Sequence, residues 1–415
     1  MTRIAYITAI AVLVVQATCA TALAKRSCWF KDCSGSDIIG KVIAGYQGWF
    51  AVQQDQVDPR KKWAHWGYNG TIPGITFELW PDVTEYEQSY QWNTNATLGD
   101  GEPATLFDSY DNSTVDLHFK WMKEYNVDVA ALQRFGTNLY GTNGTKQHMD
   151  GVFLKARHYA EKHDVKFFTF WDISGWDNFT TALPLDWYNF AKELTNSPAY
   201  ARHEGKPVVS IWGMGISNRP GTPDQIAEII EFLQSEGCYV IGGTGWQWRT
   251  YTDFLPAFNK LDMISPWTVG GYNLSAGAYA YGENTELGDV QYCQENDLEY
   301  LPVMWPGYAV SNWQNSPRNW FPREYGTLLW AQFVNAAELN VSTAYIAMFD
   351  EFDEGTAILK AATNSSMIPT DQYFLTLDAD GVELSSDFYL RVVQDGRSML
   401  QGQSPITSDC PTPFF

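Results

Sequence analysis

Cysteine and histidine are both scarce in this chain of 415 residues, six of each, and neither is spaced as a metal site requires. There is no C-x-x-C and no H-E-x-x-H, so zinc catalysis has no support and we expect neither a metal nor a cofactor. A G-x-S-x-G nucleophile elbow is missing. Gly242-Gly243-Thr244-Gly245 lacks the dinucleotide spacing and reads as a tight turn before Trp246. Positive charge is short as well: 27 Lys and Arg face 48 Asp and Glu, a net charge of −21, which argues against nucleic acid as a partner. No apolar run is long enough to span a bilayer.

What is present begins with residues 1–24, where Arg3 precedes an apolar stretch through Val15 and then Ala22-Leu23-Ala24. This is the pattern of a secretory signal with an A-x-A cleavage site. Lys25-Arg26 follows, either a dibasic processing site or a chance pair. Asn69, Asn95, Asn112, Asn143, Asn178, Asn273, Asn340 and Asn364 each open an N-x-[ST] sequon, so we expect a glycosylated, secreted protein, extracellular or in a cell wall, with no membrane attachment once the signal is removed. Cys19 leaves with the signal. Cys28, Cys33, Cys238, Cys293 and Cys410 then allow two internal disulfides and one free thiol, with the pairing open; Cys28 and Cys33 are near enough to close a short loop, and Cys238 can equally be a buried thiol.

Eight apolar, strand-like runs alternate with amphipathic stretches: Val42–Gln47, Val127–Arg134, Lys166–Asp172, Pro207–Trp212, Tyr239–Thr244, Asp262–Trp267, Tyr300–Met304 and Ala344–Phe349. Helices are expected between them at Thr114–Tyr125, His148–His163, Leu185–Leu194, Pro223–Gln234, Tyr251–Leu261, Leu287–Asn296 and Tyr325–Leu339, with Pro223 suited to a first turn. This alternation predicts an α/β fold, a single (β/α)8 TIM barrel over residues 42–375. Residues 25–41 and 376–415 are terminal extensions, the latter packed on the barrel. The Gly-, Pro- and aromatic-rich stretch at about 50–113 is too long for a simple loop and reads as an insertion after strand 1, a lid or a brace.

The last strand-like run ends in Asp350, Glu351, Asp353 and Glu354. Four adjacent acids repel unless solvent, partners or a shared proton relieves them, and the C-terminal strand ends are where a barrel carries its chemistry. Glu351 and Glu354 are the candidate catalytic pair, since glycoside cleavage commonly uses two carboxyl groups. Both face one pocket only if the chain turns after Glu351, where Gly355 can help. The bland alternatives are a solvated acidic loop or a calcium site, although the D-x-D-x-D-G pattern fails here.

Trp49, Trp171, Trp212, Trp246, Trp267 and Trp305, at or past strand ends, offer flat apolar faces to sugar rings, or pack in the core and rim. Tyr46, Gln47, Arg134 and Asp172 close strands with polar groups that bind substrate hydroxyls or pair among themselves.

Phe349-Asp-Glu-Phe-Asp-Glu-Gly-Thr356 resembles the N-E-W-H-E-G-T signature of glycoside hydrolase family 99, the endo-α-mannosidases and endo-α-mannanases. The resemblance extends to Ala44-Gly45-Tyr46-Gln47-Gly48-Trp49 and to Pro306-Gly307-Tyr308, Pro317-Arg318, Gly326 and Trp330. A closer likeness is to family 71/99-like proteins, often labelled xylosidase/arabinosidase, through Ala44–Phe50, Leu79–Tyr86 and Ser113–Met122. The resemblance implies that Glu351 removes the proton of a sugar 2-hydroxyl to form an anhydro-sugar, that Glu354 is acid and then base, and that configuration is retained. It also draws Tyr308, Asp350 and Asp353 into the substrate site. Asp350, Phe352 and Asp353 stand where the signature has Asn, Trp and His, which bears on the substrate. We therefore expect a monomeric, secreted, retaining glycoside hydrolase of α-linked glycans or polysaccharides, mannan-like by analogy. The alternatives are a pentose-polymer glycosidase and a non-catalytic carbohydrate-binding barrel.

Overall fold

The computed structural model describes residues 35–53, 57–67, 69–72, 74–140, 144–272 and 274–415. The signal sequence, Lys25-Arg26, Cys28, Cys33, Asn143 and Asn273 lie outside the described residues.

Twelve strands occur among the described residues: β1 (Val42–Tyr46), β2 (Trp92–Thr97), β3 (Pro103–Leu106), β4 (Val129–Phe135), β5 (Lys166–Asp172), β6 (Arg202–His203), β7 (Lys206–Met214), β8 (Tyr239–Gly245), β9 (Met263–Trp267), β10 (Glu299–Tyr300), β11 (Val303–Met304) and β12 (Ala344–Ile346). Nine form one curled parallel sheet in the order β10-β9-β8-β7-β5-β4-β1-β12-β11, and β6 pairs antiparallel with β7. β10 lies on β9 and β11 on β12. The short segment between β10 and β11 bonds both neighbours, Leu301 N donating to Ile264 O at 2.9 Å and Tyr345 N to Pro302 O at 2.9 Å.

The reason for this sheet is legible in the runs. β1 is buried at every residue and β4 at all but its last, as parallel strands covered on both faces must be. Their apolar side chains bond no water and gain roughly 25 cal/mol per Å² of apolar surface buried. Inside the curl, Gln133 Nε2 donates to Tyr345 Oη at 2.8 Å. Gly45 leaves the room this needs, because a Cβ there would sit 2.4 Å from that same hydroxyl and 2.1 Å from Met348 Cε.

Helices cover the outside. Thr222 and Gln225 form a capping box on the helix Pro223–Ser235, with Pro223 in its first turn. The expected helix at Tyr251–Leu261 is instead a 3-10 turn at Trp248–Thr250 and a short helix at Leu255–Phe258, because Pro256 lacks an N–H and is tolerated only in a first turn. The last expected strand also stops early, at Ile346. Met348 and Phe349 accept bonds from Ile358 N and Leu359 N at 3.0 Å each, so the chain folds back on itself there.

Three features were not expected from the sequence: the antiparallel pair β2 and β3, the helix Ser275–Tyr281 and the helix Phe388–Leu400, the last of them amphipathic, with Leu390, Val393 and Leu400 buried. The last packs Gly396 against Phe333, and its Arg397 pairs with Asp128 at 2.7 and 2.9 Å. Asp128 also accepts Val42 N at 2.9 Å, which ties the C-terminal helix to the start of β1. Between β1 and the helix Asn112–Glu124, Phe50, Trp66, Phe77, Trp80 and Phe107 are buried in an aromatic cluster that reaches Phe352 and Phe374. No helix among the described residues is long and apolar enough to cross a membrane. Cys238, Cys293 and Cys410 are unpaired thiols, so no disulfide is found among the described residues.

Candidate active site

At the C-terminal ends of the parallel strands lies a cavity of about 600 Å³. Glu351 and Glu354 both line it, on the loop after β12. The turn between them is built from the backbone: Glu351 O accepts Thr356 N at 3.0 Å and Ala357 N at 2.9 Å, and Gly355 N donates to Phe352 O at 3.0 Å. Gly355 has φ +65°, and a Cβ there would come within 3.0 Å of Ala309 Cβ. Glycine is the residue for which this conformation is free of strain. Glu354 N donates to Glu351 Oε1 at 3.3 Å.

Both carboxyl groups hold their protons more tightly than free glutamate. Burial is the main cause for Glu351, reinforced by Asp353, Glu354 and Asp350; burial and then Asp353 push Glu354 up to about 7. Two such groups titrate as a pair. Asp350 is also raised, to about 7, by burial, against the bonds it accepts from Gln47 N at 2.7 Å and Gly48 N at 2.8 Å. Those two bonds clamp the loop after β1 to the loop after β12.

Of the residues expected from the sequence, Gln47, Trp49, Asp172, Trp212, Trp267 and Asp353 line the cavity with the two glutamates. Trp212 and Trp267 meet edge to face at 5.6 Å. The other expected residues stand elsewhere. Tyr46 is buried behind the wall with its hydroxyl 3.0 Å from His118 Nδ1. Arg134 is fully buried and held by Asp186 and by Asp150 at 2.9 Å, the structural pairing its strand-end position also allowed. Trp246 packs on Tyr281 and Trp305 on Tyr272 and Phe321. Asp350 reaches the site through backbone clamping. Tyr308 is half-buried behind the pair; burial and then the charges of Glu354 and Glu351 raise its hydroxyl.

Sequence reasoning missed His65, Gln133, Phe135, Arg219 and Trp313, which also line the cavity. Gln133 and Phe135 sit on β4 next to the Arg134 that was chosen, so alternation along the strand was the available signal. His65, Arg219 and Trp313 come from loops and had none.

Behind the loop after β1, Asp58, Asp108 and His148 bring ligand-type atoms within 4.8 Å of one another, all buried. His148 bonds Asp58 Oδ1 and Gly48 O at 2.9 Å each, and Arg60 donates to Trp49 O. With a guanidinium beside it, this cluster serves as a brace under Gly48 and Trp49.

A GH99 endo-alpha-mannosidase from Bacteroides thetaiotaomicron has the same arrangement of chain, with a TM-score of 0.64, 88% of this chain and 98% of that one covered, at 17% identity. This chain shares its fold. A glycoside hydrolase-like protein is similar at a TM-score of 0.53 and 15% identity, over 88% of this chain and 95% of that one. No family model matches the sequence, and no curated protein matches it.

Proposed function

We propose that the protein is a glycoside hydrolase of the family 99 type, a secreted retaining enzyme acting on α-linked, mannan-like glycans. We read the sheet as a closed (β/α)8 barrel, with Glu299–Met304 as one strand interrupted at Leu301-Pro302, and residues 50–113 as an insertion that walls the cavity. The observation that carries the functional reading is the convergence of Glu351 and Glu354 in one cavity with Trp49, Trp212 and Trp267. The likeness in fold to the endo-alpha-mannosidase supports it.

The chemistry follows from the two raised carboxyl groups. Glu354, near 7, is protonated in mild acid and gives its proton to the departing glycosidic oxygen. Glu351 removes the proton of the sugar 2-hydroxyl, whose oxygen then attacks C1 as the bond to the leaving oxygen breaks. The two carboxyl groups titrate as a pair, and Glu351 acts as the base in the singly protonated form in which Glu354 holds the proton. In the second step Glu354 takes a proton from water, the water oxygen attacks C1 as the C1–O2 bond of the anhydro-sugar breaks, and Glu351 returns its proton to the departing 2-oxygen. Two inversions give retention.

This route requires the 2-oxygen to lie opposite the leaving group, as in α-mannosides, and excludes 1,2-cis glycosides such as α-glucosides. The test is incubation of the protein and its Glu354→Gln variant with α-mannan, α-1,3-glucan, arabinoxylan and free N-glycans, with mass spectrometry of the products. Release from α-mannan or N-glycans by the wild type alone supports the proposal. Release from arabinoxylan alone would move the substrate to pentose polymers, and binding without release would make the barrel a carbohydrate-binding protein.

A further inference from the structure

His65 comes from the loop between β1 and β2 and has φ +66°, a conformation uncommon for a residue with a Cβ. Backbone bonds between Ala51 and Ala64, 2.9 and 3.0 Å, hold the loop beside it. The imidazole lies flat on Trp49, with centroids 3.9 Å apart and planes 7° from parallel, and edge-on to Phe50. Its Nδ1 is 2.7 Å from Asp353 Oδ2, and both side chains line the cavity. The ring is therefore fixed in plane by the stack and in rotation by the carboxylate.

We infer that His65 is a positioning residue that acts through Asp353 to set the negative charge felt by Glu351 and Glu354. This rests on the proposed function only for its kinetic consequence. Asp353 is the largest charge acting on each glutamate. The imidazole held against it covers one face of the carboxylate, and without the ring that charge stands uncovered beside the glutamates. The other charged groups around the ring are Glu351 and Glu354 beyond Asp353, exposed Lys61 and Lys62 on its own loop, and Arg60 with Asp58, Asp108 and His148 behind Trp49. None of these lies in an ion pair with it.

The test is side-chain carboxyl titration of the whole protein labelled at glutamate carbons, read by NMR, for the wild type, His65→Asn, Asp353→Asn and the double variant. We expect the glutamate midpoints to rise by about half a pH unit in His65→Asn and to fall by at least as much in Asp353→Asn. The double variant should match Asp353→Asn alone, because His65 has no other route to the pair. Unchanged midpoints in His65→Asn, or a further shift when His65→Asn is added to Asp353→Asn, would overturn the inference. The titration needs no substrate, so it stands apart from whether any glycan is cleaved. On a cleaved glycan, the same shifts should move the acid and alkaline limbs of the kcat/KM profile.

Discussion

Glu351 and Glu354 differ from ordinary surface acids in what burial has done to them. Replacing either with Gln keeps the shape and removes the proton transfer proposed for it, so on that mechanism kcat should fall by about 10²- to 10⁴-fold in each variant. A variant of either that keeps more than half of wild-type turnover on a cleaved glycan would remove that residue from the chemistry. The pH behaviour has a definite sign. Glu354 holds its proton in the folded state up to about 7 instead of 4.5, so the folded form binds more protons in that window and loses stability as pH rises through it. Glu354→Gln should therefore gain thermal stability over the wild type at pH 8, and the gain should shrink towards pH 4. These two glutamates were legible in the sequence, because an apolar run ending in four acids has few structural uses. His65 was not, since the contact with Asp353 joins positions 288 apart along the chain.

The loops at the strand ends make the site, and buried Asp350 holds the loops after β1 and β12 together. Gly355 is one control point. An alanine there must adopt a left-handed φ of +65° and press on Ala309, which we expect to cost about 1–2 kcal/mol and to lower kcat through Glu354 more than it changes binding. Arg134 is another, on β4. It is fully buried, paired with Asp186 and Asp150, and lies 4.3 Å from the Phe190 ring. Removing it strands Asp186 without a counter-charge, so Arg134→Met should cost about 3–5 kcal/mol by denaturant unfolding. The KM of the folded fraction should stay near wild type, because Arg134 does not line the cavity. A large rise in KM with stability intact would restore the substrate-binding role that its strand-end position suggested.

Across the whole molecule the raised carboxyl groups act together. Besides Glu354 and Asp350, burial lifts Asp108 to about 8, Glu286 to about 8 and Asp289 to about 6. Unfolding frees each to release its proton near 4, so stability should decline as pH rises from about 5 to about 8. Growing negative charge in a chain already at −21 acts in the same direction. The melting temperature should be higher at pH 5 than at pH 8, and a flat or rising profile would show that these acids are relieved in solution. The six described sequon asparagines, Asn69, Asn95, Asn112, Asn178, Asn340 and Asn364, are all exposed, so nothing in the fold hides them from modification.

The strands of the parallel sheet, most of the helices and the position of the acid pair were legible in the sequence alone, because buried parallel strands and their helices impress a local period on the chain and charge clusters are visible without a fold. β5 falls where its run begins and ends, at Lys166–Asp172. What only the tertiary structure decided is which strand-end residues turn inward. Gln47 and Trp49 reach the cavity while Tyr46 does not, and Gln133 and Phe135 do while the Arg134 between them does not. The physical reason is that the side-chain period of a strand is two, so neighbours in sequence part to opposite faces, and the face a residue takes depends on how the sheet curls and which loops close over it.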